Sequence, residues 1–145
     1  MTTNLIFLPA IVQILLTMAV FIGLASAKSK AVKSGEVNEE RRALHDDAWP
    51  DSVIKFNNNI RNQFELPVLF YVLCIILWAI NCTNTLVHSF AWLFVASRII
   101  HVAIHTGSNF IPLRRKVFMF GFFVLAALAV FAFVSIVAKY FALHF

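Results

Sequence analysis

Four apolar stretches, each near or above the length needed to cross a lipid bilayer as a helix, constrain this chain more than any other feature of its sequence. They run from about Leu5 to Ala27, Phe64 to Ile80, Leu86 to Ile104 and Val117 to Leu143. A helix crosses the hydrocarbon core with roughly 17 to 25 mostly apolar residues. Apolar residues make up 61% of the chain and charged residues only 13%, which is unlike a soluble globular domain. The sequence therefore predicts an integral membrane protein.

The apolar stretches favour helices over barrel strands, because they lack the alternation of apolar and polar residues that barrel strands show. Helices also satisfy their own backbone hydrogen bonds in lipid. We predict an all-α membrane protein, a four-transmembrane-helix bundle that occupies residues 1–145 as one domain. The expected helices cover about residues 5–27, 57–80, 86–106 and 113–143, with a polar loop at residues 28–56.

Basic residues gather in two connections and predict the orientation of the bundle. Between the first and second spans, and between the third and fourth, the chain carries Lys28, Lys30, Lys33, Arg41, Arg42, Lys55, Arg114, Arg115 and Lys116. The N-terminal tail and the short connection at residues 81–86 carry neither Lys nor Arg. By the positive-inside rule both basic loops face the cytoplasm and both termini face the other side. Topology alone explains the net charge of +5, so nucleic acid is not an expected partner.

Two polar clusters interrupt the apolar spans. Arg61, Asn62 and Glu65 lie near the start of the second span, and Arg98-x-x-His101-x-x-x-His105 lies in the third. Each set falls along one face of a helix, because residues three, four and seven positions apart are neighbours there. Charged groups in hydrocarbon are costly and mark functional sites by default.

Glu65 and Arg98 lie at the same depth, about eight residues or ~12 Å from the cytoplasmic ends of their helices. Because an unpaired arginine there costs roughly 2.5 to 3.5 kcal/mol, we expect Glu65 to pair with Arg98. Together with the basic group at residues 114–116, the clusters predict a site for a small anionic ligand that enters from water. Apolar walls beside that site suit a lipid-soluble partner.

Three motifs follow one another along the chain: Arg-Asn-x-x-Glu followed by Leu-Pro, then Arg-x-x-His in the third span, then Pro-x-Arg at the start of the fourth. Taken in order, they resemble the motifs of the MAPEG family, the membrane-associated proteins in eicosanoid and glutathione metabolism. The stretch from Phe56 to Tyr71 is most similar to bacterial members, so the resemblance implies a bacterial inner membrane. It also implies a homotrimer with glutathione sites between adjacent protomers.

The resemblance implies a role for each matched residue. Arg61, Asn62 and Glu65 would contact glutathione, and His101 would line the same site. Arg114 would be catalytic, since a guanidinium favours the thiolate and so lowers the pKa of the thiol. The expected activity is that of a glutathione transferase or peroxidase acting on a lipophilic electrophile or lipid hydroperoxide from the bilayer. We add three more glutathione-binding candidates: Arg98 and His105, which lie in the polar cluster of the third span, and Arg115, which lies in the basic group at residues 114–116.

Three positions depart from the family pattern. His105 and Phe118 stand where family enzymes carry Tyr, and Asn58 occupies a position that can be Arg. A non-catalytic membrane binding or scaffold protein of the same fold is therefore an alternative. A second alternative is a metal-dependent membrane enzyme, with His101, His105 and Glu65 as ligands.

Overall fold

The computed structural model describes residues 3–144, and all long elements in that range are helices. The helices are α1 (Phe7–Ser34), α2 (Asp51–Gln63), α3 (Leu66–Ala79), α4 (Thr85–Thr106) and α5 (Ile111–His144), with short 3-10 turns at Thr3–Ile6 and Asp46–Ala48. Four segments are long and apolar enough to span a membrane: Asn4–Ser34, Asp51–Ala79, Thr85–Thr106 and Ile111–Ala142. The predicted all-α bundle with four membrane spans is confirmed.

The first helix continues beyond its apolar stretch. We placed its end near residue 27, but α1 runs to Ser34. It stops at Gly35, which adopts φ 70° and donates its N–H to the Val32 carbonyl at 3.2 Å. Glycine reaches this left-handed conformation without steric cost and so commonly follows a helix end. Hydropathy indicates where the apolar stretch ends, near residue 27. The helix itself ends later, at Ser34, directly before the left-handed Gly35.

The second span is two helices rather than the single helix that we placed at residues 57–80. It starts earlier, at Asp51, and is interrupted at Phe64 and Glu65 before α3 begins at Leu66. Pro67 causes this break, because it has no N–H for the Gln63 carbonyl and its ring clashes with that carbonyl in a continuous helix. Glu65 takes the irregular angles φ −100° and ψ −101°. Helix α2 thus carries its polar side chains on an element separate from α3.

The connections on either side of α4 are short. Before α4, Asn81 adopts φ 52° and Asn84 caps the helix by accepting the Val87 N–H at 3.0 Å. After α4, residues 107–110 lead directly into α5, whose second residue is Pro112. A proline fits there because the first turn of a helix needs no N–H donors. The two short connections reverse the chain, so α4 runs antiparallel to α3 and to α5.

Helix α4 lies at the centre of the packing, against α5, α1 and α2, and α3 packs on α5. The rings of Phe70 on α3 and Phe94 on α4 stack with centroids 4.6 Å apart, and both side chains are fully buried. On α5, Gly121 faces Ser97 so closely that a Cβ would lie 2.7 Å from its Oγ. Small residues allow such close helix contact in membranes.

The outer surface is apolar along the spans and charged at one end. Large hydrophobic side chains are exposed on every span, among them Ile22, Leu69, Leu93 and Phe123. Exposed apolar surface of this extent suits lipid rather than water. We call the end that holds α2, the α4–α5 loop and residues 114–116 the basic end of the bundle. The site described next lies there.

Candidate functional site

Three polar side chains of α4 point into the bundle near its basic end. Arg98, His101 and His105 are 0%, 2% and 3% exposed. They occupy one face of α4 at the spacing that the sequence indicates. Asn62 of α2 and Phe118 of α5 lie against this face. The structure therefore brings together polar groups from two of the spans and closes them off with an aromatic ring from a third.

Arg98 has little to bond with in its buried position. Its Nη2 donates to the main-chain carbonyl of Asn62 at 3.5 Å, and its guanidinium lies 5.5 Å from the centroid of the Phe118 ring. Its Nε and Nη1 have no hydrogen-bond partner among the described residues. Buried polar atoms are seldom left in this state. The unused donors favour an anionic or carbonyl oxygen near Arg98.

Our expectation that Glu65 pairs with Arg98 is wrong. No salt bridge joins them within the described part of the chain, and the Glu65 side chain is exposed. Glu65 acts on Arg98 only through space. The physical reason is the break before Pro67, which places Glu65 outside the regular helical register on which the expectation depended. Arg98 donates to the main-chain carbonyl of Asn62 instead of to the Glu65 carboxylate.

The two histidines differ in their hydrogen bonds. Nδ1 of His105 accepts from the Asn62 side-chain amide at 3.3 Å, which leaves the proton of a neutral ring on Nε2. Neither ring nitrogen of His101 has a hydrogen-bond partner within residues 3–144, although the backbone of Arg114 is close. The two rings meet edge to face, 5.4 Å apart. His101 is thus a second buried group with unused bonding capacity.

A cavity of about 210 Å³ opens beside His101. It is lined by Asn62, His101, Ile111, Arg114, Arg115 and Phe118. Arg114 is partly buried there, and its Nη1 donates to Oδ1 of Asn109 at 2.5 Å. Four sequence-predicted residues therefore share one cavity: Asn62, His101, Arg114 and Arg115. Arg98 and His105 lie behind this lining, in contact with Phe118 and Asn62 respectively.

Arg61 is not part of this cavity. Its exposed guanidinium is bound by Asp46 at 2.5 Å and lies 3.5 Å from Oδ1 of Asn58. It lines a different cavity of about 360 Å³, beside Lys28 and Trp49. Within a single chain, two members of the Arg-Asn-x-x-Glu motif, Arg61 and Glu65, therefore lie outside the group that surrounds His101.

An apolar groove between α3 and α5 lies next to the first cavity. It measures about 270 Å³, and its lining includes Leu66, Leu69, Phe122 and Leu125. Phe122 is one helical turn from Phe118, which lines the polar cavity. Polar and apolar spaces thus follow one another along the same face of α5. This arrangement suits a polar ligand and a lipid-soluble ligand side by side.

The described residues offer no third ligand for a metal ion beside His101 and His105. Nowhere in the described range do three or more His, Cys, Asp or Glu side chains converge as metal ligands would. Glu65, which the metal hypothesis requires, is exposed within the helix break. The guanidinium of Arg98 beside the histidines would also repel a cation.

Sequence reasoning did not identify Asn109 or a buried amide chain formed by Gln13, Gln63 and Asn59. Gln13 Nε2 donates to Gln63 Oε1 at 2.9 Å, and Gln63 Nε2 donates to Asn59 Oδ1 at 3.0 Å. All three residues are at most 1% exposed. Their spacing did carry a signal, since Asn59 and Gln63 are four positions apart on one helix face.

Comparison with known proteins identifies a family for this chain. The model of the MAPEG family matches residues 6–134. No curated protein and no solved structure matches the chain. The matched range contains all four membrane spans up to residue 134, the buried cluster of α4 and the cavity with its two arginines. The chain therefore belongs to the MAPEG family, the membrane proteins of eicosanoid and glutathione metabolism.

Proposed function

We propose that this protein binds glutathione in the cavity at the basic end and activates its thiol. The thiolate would attack a lipophilic electrophile or a lipid hydroperoxide that arrives from the bilayer. The observation that carries the proposal is the buried bonding capacity beside the cavity. Arg98 and His101 keep four unpartnered nitrogen atoms in the described structure, next to two cavity-lining arginines.

The donor set fits glutathione chemically. The tripeptide carries two carboxylates, several carbonyl oxygens and one thiol, and the cavity offers guanidinium and amide donors from Arg114, Arg115 and Asn62. Arginine binds carboxylates well because its planar fork donates two hydrogen bonds at once. His101 can donate from one ring nitrogen and accept at the other. These residues would hold the peptide part of the ligand.

Arg114 is our candidate for stabilising the thiolate. It is the partly buried arginine of the cavity, and no ion pair involving it occurs among the described side chains. An uncompensated positive charge near a thiol favours the anion and lowers the thiol pKa. Glutathione supplies the nucleophile, so the protein needs to contribute only binding, orientation and charge.

The apolar groove between α3 and α5 supports a lipophilic second substrate. Its lining is almost wholly hydrocarbon and begins at Leu66, directly after the helix break. A lipid-soluble electrophile can therefore reach the region of Arg114 from the membrane side while glutathione enters from water. This two-sided access favours an enzyme over the alternative of a non-catalytic binding protein.

We further propose that the protein works as a homotrimer. Arg61 and Glu65 carry the family motif but face away from the cavity of their own chain. Glu65 is exposed beside the groove residue Leu66, at a helix surface that also exposes Phe64 and Leu69. A neighbouring protomer on that surface would give both motif residues a site between chains.

The test uses the full chain purified in detergent. Glutathione binding is measured by calorimetry, thiolate formation by ultraviolet absorbance, and catalysis by conjugation of a chlorinated nitrobenzene. In that reaction a carbon–sulfur bond forms and chloride leaves. We expect the wild-type protein to bind glutathione and show the thiolate signal. Arg114→Ala should lose at least about tenfold of that signal at neutral pH, which equals a thiol pKa about one unit higher.

Lys116→Ala is the matched control, because Lys116 is an exposed cation two positions away that does not line the cavity. It should behave as wild type. Binding without an Arg114-dependent thiolate and without conjugation would support the non-catalytic alternative. Absence of binding at millimolar glutathione would overturn the proposal.

A further inference from the structure

The loop between α4 and α5 presents one side chain to Arg114. Asn109 has a partly buried side chain whose Oδ1 accepts the hydrogen bond from Arg114 Nη1 at 2.5 Å. The two residues are five positions apart, with Asn109 in the loop and Arg114 in the first turn of α5. The contact therefore ties the guanidinium to the loop rather than to its own helix.

The backbone of Asn109 is held in a conformation that few residues accept. Its φ is 53°, in the left-handed region, where Asn is enriched and most other side chains are strained. Its N–H donates to the Ile104 carbonyl at 2.7 Å, which anchors it to the last turn of α4. Two residues earlier, the Gly107 carbonyl accepts from Lys55 Nζ at 3.2 Å, which anchors the loop to α2. The loop is thus fixed on two helices and can hold a side chain in place.

The chemical nature of the acceptor matters for the charge of Arg114. An amide oxygen is neutral, so it orients the guanidinium without cancelling its charge. A carboxylate at the same position would orient it equally well but would form an ion pair. The remaining guanidinium donors, four of the five that arginine carries, stay available to the cavity that Arg114 lines.

We infer that Asn109 is a positioning residue for thiolate stabilisation, acting through Arg114. Its left-handed backbone aims the amide, the amide fixes the guanidinium toward the cavity, and its neutrality preserves the positive charge there. This inference rests on the proposed function, in which Arg114 stabilises the thiolate of bound glutathione. It adds a residue that does not touch the thiol itself.

Two substitutions separate orientation from charge. Asn109→Gly keeps the left-handed backbone, which glycine adopts freely, and removes the amide. Asn109→Asp keeps an acceptor and tolerates the same backbone, but adds a negative charge next to Arg114. Asn81→Gly is the matched control, because Asn81 has φ 52° in the opposite connection, between α3 and α4. All three variants change a residue with a left-handed backbone. They differ in their effect on Arg114.

The experiment titrates the thiolate absorbance of bound glutathione against pH in the full-length protein in detergent. Elution volume and helical circular dichroism establish that each variant is folded. For Asn109→Gly we expect the midpoint to rise by about half to one pH unit, a roughly three- to tenfold loss of thiolate at fixed pH below the midpoint. For Asn109→Asp we expect a larger rise, since a like charge disfavours the thiolate. Asn81→Gly should titrate as wild type.

The outcomes distinguish this inference from the proposed function. A wild-type thiolate signal that depends on Arg114, together with an unshifted Asn109→Gly midpoint, would overturn the role of Asn109 and leave the proposed function standing. An Asn109→Asp midpoint equal to wild type would overturn it as well. Glutathione that binds to wild type with no Arg114-dependent thiolate signal would overturn both proposals.

Discussion

Arg98 illustrates how a single buried residue can be costly for folding and useful for binding. It is fully buried, yet within the described structure its polar partners are the Asn62 carbonyl, through one long hydrogen bond, and the face of the Phe118 ring. A charge in hydrocarbon costs roughly 2.5 to 3.5 kcal/mol even on insertion scales. A charged residue inside a membrane span therefore marks a candidate functional site.

We predict that Arg98→Met separates these two effects. Methionine has a flexible, apolar side chain that can fill the space, and it removes a buried charge that lacks a close counter-ion. The ligand-free protein should be as stable as wild type or more stable by about 1 to 3 kcal/mol. Its stabilisation by glutathione should fall, with an affinity about tenfold weaker. Thermal unfolding in detergent, with and without glutathione, measures both quantities.

Arg41→Met is the control for Arg98→Met. Arg41 is an exposed arginine paired with Asp47 at 2.9 Å, and such surface pairs contribute ~0 to 1 kcal/mol. Arg41→Met should change the ligand-free stability by no more than that amount. It should leave the response to glutathione unchanged. A clear fall in the ligand-free melting temperature of Arg98→Met would show that Arg98 already has adequate partners.

At the scale of elements, α1 and α2 are held together by amides inside an otherwise apolar region. Gln63 is the central member, because it accepts from Gln13 and donates to Asn59. It is also the last residue of α2, directly before the break that Pro67 imposes. The amide chain therefore fixes the end of α2 and, with it, the neighbouring Asn62 that contacts Arg98 and His105.

We predict that Gln63→Leu lowers the free energy of unfolding by about 1 to 2 kcal/mol, because it leaves a buried donor of Gln13 and a buried acceptor of Asn59 without partners. Chemical or thermal unfolding in detergent measures the loss. Ser89→Ala is the matched control: the Ser89 hydroxyl is exposed and bonds to the Thr85 carbonyl of its own helix. An unchanged stability of Gln63→Leu would show that the amide chain adds nothing to the bundle.

The elements also show what sequence could and could not predict. The four spans were predictable because hydropathy is a local property of each stretch. The bond from Arg98 to the Asn62 carbonyl was not predictable. Every residue has a main-chain carbonyl, so the sequence does not show which one accepts a hydrogen bond. Asn109 was missed for a related reason: its role depends on a left-handed backbone and on the approach of Arg114, neither of which spacing reveals. Site residues chosen from motifs, such as Asn62 and Arg114, did fall into one cavity.

At the scale of the whole molecule, the distribution of charge predicts one orientation in the membrane. The segment between α1 and α2 and the loop between α4 and α5 lie at the basic end, whereas the α3–α4 connection lies at the other. By the positive-inside rule we expect the basic end to lie in the cytoplasm. Glutathione would then enter from the cytoplasmic side, and both termini would lie across the membrane.

We predict that cysteine labelling reports this orientation. In a background with Cys74→Ala and Cys82→Ser, Leu44→Cys places a thiol at a residue that is 89% exposed in the α1–α2 segment. A membrane-impermeant maleimide should label it only after the cells are permeabilised. Thr85→Cys, exposed at the start of α4, should be labelled in intact cells. Labelling with the two patterns exchanged would reverse the assigned topology.

The helix break at Phe64 and Glu65 has one more consequence for the molecule as a whole. Beside this break the Asn62 carbonyl accepts from Arg98, so the hydrogen-bond partner of the buried cation belongs to the main chain. A carbonyl cannot be neutralised by acid, as a carboxylate can, and every amino acid placed at position 62 supplies one. The Arg98–Asn62 hydrogen bond is therefore insensitive to acidification of its acceptor and to substitution of the Asn62 side chain.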